Sequence, residues 1–115
     1  MAVTTIWHNP RCSKSRQTLA LLAENNIIPT IRLYLKEPVT AMEIEQLQQQ
    51  LGLPLIEIMR TKDAAFKEAN LSKDSTKEEL QAALLENSAL LERPIVTHDG
   101  KAAIGRPPEQ VLVLF

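Results

Sequence analysis

The spacing of apolar residues predicts a strand, a helix and a second strand in the segment that ends at Leu35. The run Val3–Trp7 is rich in β-prone residues, and it stops just before Pro10, whose ring forces an extended conformation on the preceding residue. From Ser13 the apolar residues recur at helical intervals until Asn25. Ile28–Leu35 has the composition of another strand, so the order is that of a βαβ unit.

The middle of the chain, residues 38–91, is predicted to be helical. Thr40 and Glu43 have the spacing of a capping box, in which each side chain bonds the other residue's backbone at a helix start. Gly52 is typical of the position just after a helix end. Further helices are predicted at Pro54–Arg60, at Asp63–Asn70 and after the two overlapping capping boxes of Ser75–Glu79.

The last part of the chain returns to strands. Pro94–Thr97 and Lys101–Ile104 flank Asp99-Gly100, a dipeptide typical of a tight type I′ hairpin. Pro107-Pro108 favours the start of a closing helix over Val111–Leu114, with a strand as the alternative.

The order of these elements, βαβ, then helices, then ββα, is that of a thioredoxin-like (glutaredoxin-like) α/β domain. We therefore predict one domain over residues 1–115, built on a mixed four-stranded sheet. Residues 38–91 form a helical insertion between the βαβ and ββα halves.

Composition then limits the partners and the compartment. The chain is 44% hydrophobic, and 13 Lys and Arg against 14 Asp and Glu give a net charge of −1. Such a balance argues against binding to nucleic acids or membranes, both of which usually require a basic surface. The start of the chain, Met1–Ile6, lacks the basic and apolar regions of a signal peptide, and a lone cysteine suits a reducing compartment. We expect a cytoplasmic monomer.

That single cysteine, Cys12, is the candidate reactive group. It lies where the first helix begins, so free backbone N–H groups and the helix dipole favour an anion there. Arg11, Lys14 and Arg16 add positive charge within four residues. We therefore expect the pKa of Cys12 to fall by one to several units from about 8.5. The alternative, a small buried hydrophobic residue, fits this cationic loop poorly.

The spacing around Cys12 excludes several chemistries. Ser15 stands where a dithiol motif would carry its second cysteine, so a disulfide at Cys12 must form with an outside thiol such as glutathione. A tyrosine-phosphatase loop needs arginine six positions after its cysteine, and this chain has Thr18 there. A metal site would have to use Cys12 with His8 and His98, which lack zinc-ligand spacing, so no metal site is predicted.

Five motifs in order resemble the glutathione/glutaredoxin-dependent arsenate reductases (ArsC-like), in particular the YfgD-like branch of that family. The similarity runs nearly from end to end of the chain. The motifs are His8-Asn9-Pro10-Arg11-Cys12-Ser13-Lys14-Ser15-Arg16, Tyr34-Leu35 with Pro38 and Thr40, Arg60, Arg93-Pro94-Ile95-Val96 and Gly105-Arg106-Pro107.

The resemblance implies a mechanism with a covalent intermediate and no bound cofactor. The residue matching Cys12 attacks arsenate to form a thiol–arsenate adduct, glutathione as co-substrate attacks the adduct, and glutaredoxin resolves the mixed disulfide. The arginines matching Arg60, Arg93 and Arg106 bind the oxyanion and lower the thiol pKa. Pro94 matches the cis-proline beside the thiol. Arginine suits this role because its planar group binds two oxygens and keeps its charge.

Three supporting residues are assigned less specific roles. His8 is expected to organise the loop or assist proton transfer, or else to bond backbone at the strand end. Asn9 is expected to cap the Cys12 loop. The Ser15 hydroxyl is expected to bond the thiolate, with a helix carbonyl as the alternative.

Two other functions are compatible with the same residues. One is a monothiol oxidoreductase acting on glutathione adducts, and the other is a non-catalytic regulator resembling Spx, which binds RNA polymerase. The three arginines favour an enzyme over a regulator. Arg11, Ser13 and Lys14 depart from the pattern of the reductases, in which the cysteine is commonly followed by Gly-Thr.

Overall fold

A computed structural model describes residues 3–115, and it contains the predicted mixed four-stranded sheet. The strand order is β2-β1-β3-β4, with β1 parallel to β2 and antiparallel to β3, and β3 antiparallel to β4. The strands are β1 (Thr4–Trp7), β2 (Thr30–Arg32), β3 (Ile95–His98) and β4 (Lys101–Ile104). Met1 and Ala2 lie outside the described residues. They begin the segment Met1–Ile6, in which the sequence shows no features of a signal peptide.

The helices fall into two compact units of the chain. The first unit contains the sheet and comprises the residues up to Glu37 together with Arg93–Phe115. The second unit is Pro38–Glu92. The insertion predicted from the sequence covers residues 38–91. The α-helices are α1 (Ser13–Glu24), α2 (Ala41–Leu51), α3 (Ala64–Glu68) and α4 (Lys77–Glu86). Three 3₁₀ helices cover Leu55–Ile58, Ser88–Leu90 and Pro108–Leu114.

The helix boundaries follow from capping chemistry that the sequence displays. Thr40 and Glu43 form both hydrogen bonds of the predicted capping box, and α2 ends at Gly52, whose φ of 68° is left-handed. Of the two overlapping boxes before α4, the one formed by Thr76 and Glu79 caps the helix. These contacts satisfy backbone N–H groups that a helix start otherwise exposes.

Strand β2 is shorter than the predicted Ile28–Leu35. Pro29 has no N–H to donate to a sheet ladder, which limits the strand at its start. After Arg32 the chain turns, because the amides of Lys36 and Glu37 both donate to the Leu33 carbonyl. The hydrophobic run therefore continues past the strand into a turn.

The hairpin and the closing segment agree with the pattern in outline. Asp99 and Gly100 have φ values of 50° and 77°, as a type I′ turn requires at both central positions. The closing segment is helical rather than extended, but it is a 3₁₀ helix. Pro108 and Val111 are buried three residues apart, which matches the three-residue period of that helix.

Each unit buries its own apolar residues. In the first unit, Ile6, Leu22, Val96 and Val111 form a fully buried cluster between the sheet and its helices. In the second unit, Leu47, Leu80 and Leu84 are buried, whereas Leu51 is only partly buried. Leu19 packs against the first cluster while partly exposed.

Candidate active site

Cys12 occupies the N-cap position of α1, in the loop that follows β1. Its backbone is extended, with φ −92° and ψ 123°, and its side chain is partly exposed. The loop is closed by Asn9, whose carbonyl accepts the Cys12 N–H at 3.0 Å and whose Oδ1 accepts the Arg11 N–H at 3.0 Å. Asn9 therefore shapes the loop as the sequence predicts.

The Ser15 hydroxyl stabilises the loop rather than the sulfur. Ser15 is fully buried, and its Oγ lies 2.6 Å from His8 Nδ1 and accepts the Asn9 N–H at 3.0 Å. The expected bond from this hydroxyl to the thiolate is thus replaced by a bond to His8 and one from Asn9. His8 is buried at the end of β1 and its imidazole is part of the loop framework.

The environment of Cys12 favours the thiolate. Burial of the sulfur is the largest influence and raises the pKa, but it is outweighed by the backbone amide of Ser15, the guanidinium of Arg93 and the amide of Lys14. The net result is a pKa for Cys12 below its ordinary value, as the sequence predicts. The helix start acts as the sequence predicts, but the charge that stabilises the thiolate is that of Arg93 rather than those of Arg11, Lys14 and Arg16.

Arg93 and Arg106 lie together beside Cys12. Arg106 Nη2 is 3.8 Å from Cys12 Sγ, and Arg106 Nε donates to the Arg93 carbonyl at 2.7 Å. Arg93 Nε is buried and has no hydrogen-bond partner within residues 3–115. The Arg93 guanidinium also bonds Cys12 and lowers the pKa of its thiol. The Arg93–Pro94 peptide bond is cis, as the resemblance implies.

Close packing holds these two arginines near α1. Gly105 precedes Arg106, and a Cβ built on Gly105 would lie 2.6 Å from Thr18 Oγ1 and 2.8 Å from Pro94 Cγ. The Gly105 amide also donates to the Pro94 carbonyl at 2.9 Å. Sequence reasoning missed this role of Gly105 and Thr18, because the contact joins elements far apart in the chain. The signal of this contact in the sequence was the position of Gly105 directly before Arg106, a predicted site residue.

Arg60 belongs to the second unit, where carboxylates hold its guanidinium. Its Nε lies 3.3 Å from Asp63 and its Nη1 lies 3.4 Å from Glu92. Its backbone N–H donates to the Leu90 carbonyl at 2.7 Å, next to the isolated bridge between Met59 and Leu91. These contacts fix the side chain within its unit, and its role in oxyanion binding stays a prediction.

The cations of the loop serve different purposes. Arg16 Nη1 donates to the Pro10 carbonyl at 2.9 Å and so braces the loop. Burial, and then the charge of Arg16, lower the pKa of His8 and so favour its neutral imidazole. The side chains of Arg11 and Lys14 form no hydrogen bond or ion pair with any part of the chain that the structure describes.

Other predicted positions have structural roles. His98 belongs to the hairpin, where its Nδ1 lies 2.8 Å from Thr4 Oγ1 and its ring packs against Phe115. Trp7 is buried against Tyr34 and has a packing role. Among residues 3–115, no group of three or more His, Cys, Asp or Glu side chains is placed to hold a metal. No helix in the same range combines the length and apolar character that crossing a membrane requires.

The chain is similar in sequence and in structure to several known proteins. The chain is 52% identical over 109 residues to uncharacterized protein YfgD of Escherichia coli K12, covering 93% of this chain and 92% of that protein. It is 50% identical over 112 residues to a Haemophilus influenzae protein named arsenate reductase, covering 96% and 97%. The structure of arsenate reductase from Vibrio cholerae superimposes with a TM-score of 0.94 at 45% identity, covering 98% of each chain.

A family assignment follows from the extent of these matches. The profile of the ArsC family matches residues 7–114, a range that contains the Cys12 loop, all three predicted arginines and Pro94. This chain is a member of the ArsC family.

Proposed function

We propose that this protein is an arsenate reductase that converts arsenate to arsenite through a covalent adduct at Cys12. One observation carries the proposal: the sulfur at the start of α1 has a lowered pKa and lies 3.8 Å from the Arg106 guanidinium. A thiolate beside a guanidinium combines a nucleophile with a binding group for its oxyanion substrate. Relatives that are named arsenate reductase support the choice of substrate.

The first step is attack of the Cys12 thiolate on As(V). A sulfur–arsenic bond forms, and an arsenate oxygen takes up protons and leaves as water. Both reactants are anions, so their repulsion opposes the approach. Arg93 and Arg106, whose guanidinium groups lie at Cys12, offset that repulsion and bind the oxygens. We assign the third binding group to Arg60, on the strength of the family resemblance.

The second step needs an external thiol, because the chain has a single cysteine. We assign this role to glutathione. Its thiolate forms a disulfide bond with Cys12, and the electron pair of the broken sulfur–arsenic bond stays on arsenic, which becomes As(III). Glutaredoxin then releases Cys12 by thiol–disulfide exchange, in which one thiolate replaces another on sulfur.

The supporting residues hold the loop in the geometry that this chemistry needs. Asn9 and Ser15 fix the backbone that presents the sulfur, and His8 is bonded to Ser15 as a neutral imidazole. Pro94 follows Arg93 and accepts the Gly105 N–H, so it connects the two arginine-bearing segments. We assign all four residues positioning roles.

The test is arsenite production with glutathione and glutaredoxin by the wild type and by single variants. Cys12→Ser is expected to abolish turnover. Arg93→Ala and Arg106→Ala are expected to lower kcat/KM for arsenate by about 10²–10³-fold, the usual loss when a donor to a developing oxyanion is removed. Arg60→Ala tests the third assignment, and Lys101→Ala, in the hairpin, is the control for loss of a cation.

Three results would contradict parts of the proposal. Full turnover by Cys12→Ser would exclude the covalent mechanism. Unchanged arsenate kinetics in the Arg93 and Arg106 variants would exclude the oxyanion site. Rapid removal of glutathione from model disulfides, with no arsenite formed, would show a monothiol oxidoreductase instead. Omitting glutathione or glutaredoxin in turn tests whether arsenite production requires each of them.

A further inference from the structure

Two carboxylates hold the guanidinium group of Arg60, each at a different nitrogen. Arg60 Nε lies 3.3 Å from Asp63 Oδ2, and Arg60 Nη1 lies 3.4 Å from Glu92 Oε1. All three side chains are partly buried, with 23%, 35% and 24% of their areas exposed. Among residues 3–115, no acceptor is bonded to the third nitrogen, Nη2. The two carboxylates therefore restrain the group and leave one of its edges open.

The backbone fixes the positions from which Arg60 and Glu92 meet. The Arg60 amide donates to the Leu90 carbonyl at 2.7 Å, and the Glu92 amide donates to the Ile58 carbonyl at 2.9 Å. These two bonds flank an isolated antiparallel bridge, so they form a short ladder. The guanidinium and the Glu92 carboxylate thus extend from backbone segments that are bonded to each other.

Asp63 is fixed by its position at the start of α3. It is the N-cap residue of that helix, and its Oδ1 accepts the Ala65 N–H at 3.0 Å. Its own N–H donates to the Arg60 carbonyl at 3.1 Å. The cap uses one carboxylate oxygen and directs the other, Oδ2, to Arg60. The Asp63 carboxylate is therefore held in place by contacts other than the ion pair.

The number of carboxylates exceeds what the charge of Arg60 requires. One would neutralise the guanidinium, whereas two give the group of three side chains a net charge of −1. Because they bond different nitrogens, they restrain the orientation of the group as well as its position. An arginine held in this way loses little further rotamer freedom when its open edge binds an acceptor.

We propose that Asp63 and Glu92 are positioning residues that hold Arg60 with its Nη2 edge open to an oxygen of the anionic substrate. The inference rests on the proposed function for the role of Arg60 in oxyanion binding. Loss of a carboxylate makes the surroundings of Arg60 less negative, which favours an anion, and it also frees the side chain, which opposes binding. The second effect is the larger, because arginine has a large rotamer entropy and an exposed charge contributes little at physiological salt.

NMR relaxation of the arginine Nε–H group tests the restraint without any turnover. The Arg60 signal is identified by its loss in Arg60→Lys. We expect an order parameter of about 0.85 in the wild type, and below about 0.6 when Asp63→Asn and Glu92→Met are combined. Asparagine caps a helix as well as aspartate does, so α3 keeps its start. Glu57→Met removes a carboxylate of the same unit that does not contact Arg60, and should leave Arg60 rigid.

Arsenate kinetics test whether the restraint serves binding. At about 0.15 M salt, we expect Asp63→Asn and Glu92→Met each to raise the KM for arsenate about two- to fivefold while kcat stays nearly unchanged. Glu92→Gln keeps an oxygen that can accept from Nη1, so it should have a smaller effect than Glu92→Met. In the Arg60→Ala background, the same changes should not raise KM further, because they act through Arg60.

Inorganic phosphate tests binding in the absence of reduction, since it has the shape and charge of arsenate. It is expected to shift the Arg60 Nε–H signal at a lower concentration in the wild type than in the variant that combines Asp63→Asn with Glu92→Met. The phosphate titration does not depend on arsenite formation. A wild type that binds phosphate in this way but forms no arsenite would contradict the proposed function and leave the positioning role in place.

Four results would overturn the positioning role. The first is an Arg60 side chain that stays rigid when both carboxylates are replaced. The second is a KM for arsenate that is unchanged or lowered in the single variants, since a lowered value would mean that the carboxylates compete with the substrate for Arg60. The third is an equal rise in KM with and without Arg60, which would indicate a purely structural effect. The fourth is an unchanged KM in Arg60→Ala itself.

Discussion

At the scale of single residues, reactivity depends on how the protein surrounds one sulfur. The sequence identified Cys12 and the direction of its pKa shift, because a cysteine at a helix start has a predictable environment. The local pattern pointed to the charges of Arg11, Lys14 and Arg16, and only the family resemblance implied that Arg93 acts on the thiol. Arg93 is 81 positions away in the chain, and only the fold brings it to Cys12. The bond from Arg16 to the Pro10 carbonyl was equally invisible in a linear pattern.

Arg93 is expected to control the protonation of Cys12. Replacing it with Met removes the charge while keeping most of the side-chain volume, so the pKa of the thiol should rise toward about 8.5. The pH dependence of alkylation by iodoacetamide measures this shift, since only the thiolate reacts. Arg11→Gln is the matched control and should leave the midpoint in place. An unshifted midpoint in Arg93→Met would show that the helix start alone sets the pKa.

Ser15 is expected to contribute to stability through the loop. Ser15→Ala leaves His8 Nδ1 and the Asn9 N–H without their buried partner, and such a loss costs about 1–3 kcal/mol in the free energy of unfolding. Ser13→Ala, an exposed change two residues earlier, should cost less than about 0.5 kcal/mol. Urea denaturation of both variants measures the difference. Equal values would mean that the buried hydrogen bonds add no stability.

At the scale of secondary structure, local chemistry predicted most starts and ends. The capping boxes of Thr40 and Thr76, the helix end at Gly52 and the Asp99-Gly100 turn formed as the sequence indicates, because each depends on contacts within four residues. Strand β2 is the exception. Its hydrophobic run is longer than the strand, since Pro29 and the turn after Arg32 are stronger determinants than β propensity.

The start of α4 offers a test of which capping box is used. Thr76 accepts the Glu79 N–H, whereas the Ser75 hydroxyl accepts the Ser72 N–H outside the helix. Thr76→Ala is therefore expected to lower the free energy of unfolding by about 1 kcal/mol, and Ser75→Ala by less than about 0.5 kcal/mol. Thermal or urea denaturation measures both values. A larger loss in Ser75→Ala would assign the cap to the other box.

At the scale of the whole molecule, the order of elements was sufficient to predict the sheet. A βαβ unit followed by ββα can form few arrangements, and the observed order β2-β1-β3-β4 is the thioredoxin-like one. The same topology explains part of the site. Strand β1 ends before Cys12, β3 begins after Arg93 and β4 ends before Arg106, so three strand ends meet at one edge of the sheet. The precise packing there depends on Gly105, which no local pattern reveals.

The proposed chemistry depends on a lowered pKa at Cys12, and one titration tests it. Because the chain has a single cysteine, the thiolate absorbance near 240 nm, taken as the difference between wild type and Cys12→Ser, reports this sulfur alone. We expect a midpoint clearly below about 8.5 in the folded protein, returning to about 8.5 in denaturant. A folded midpoint at or above about 8.5 would show that the fold does not stabilise the thiolate.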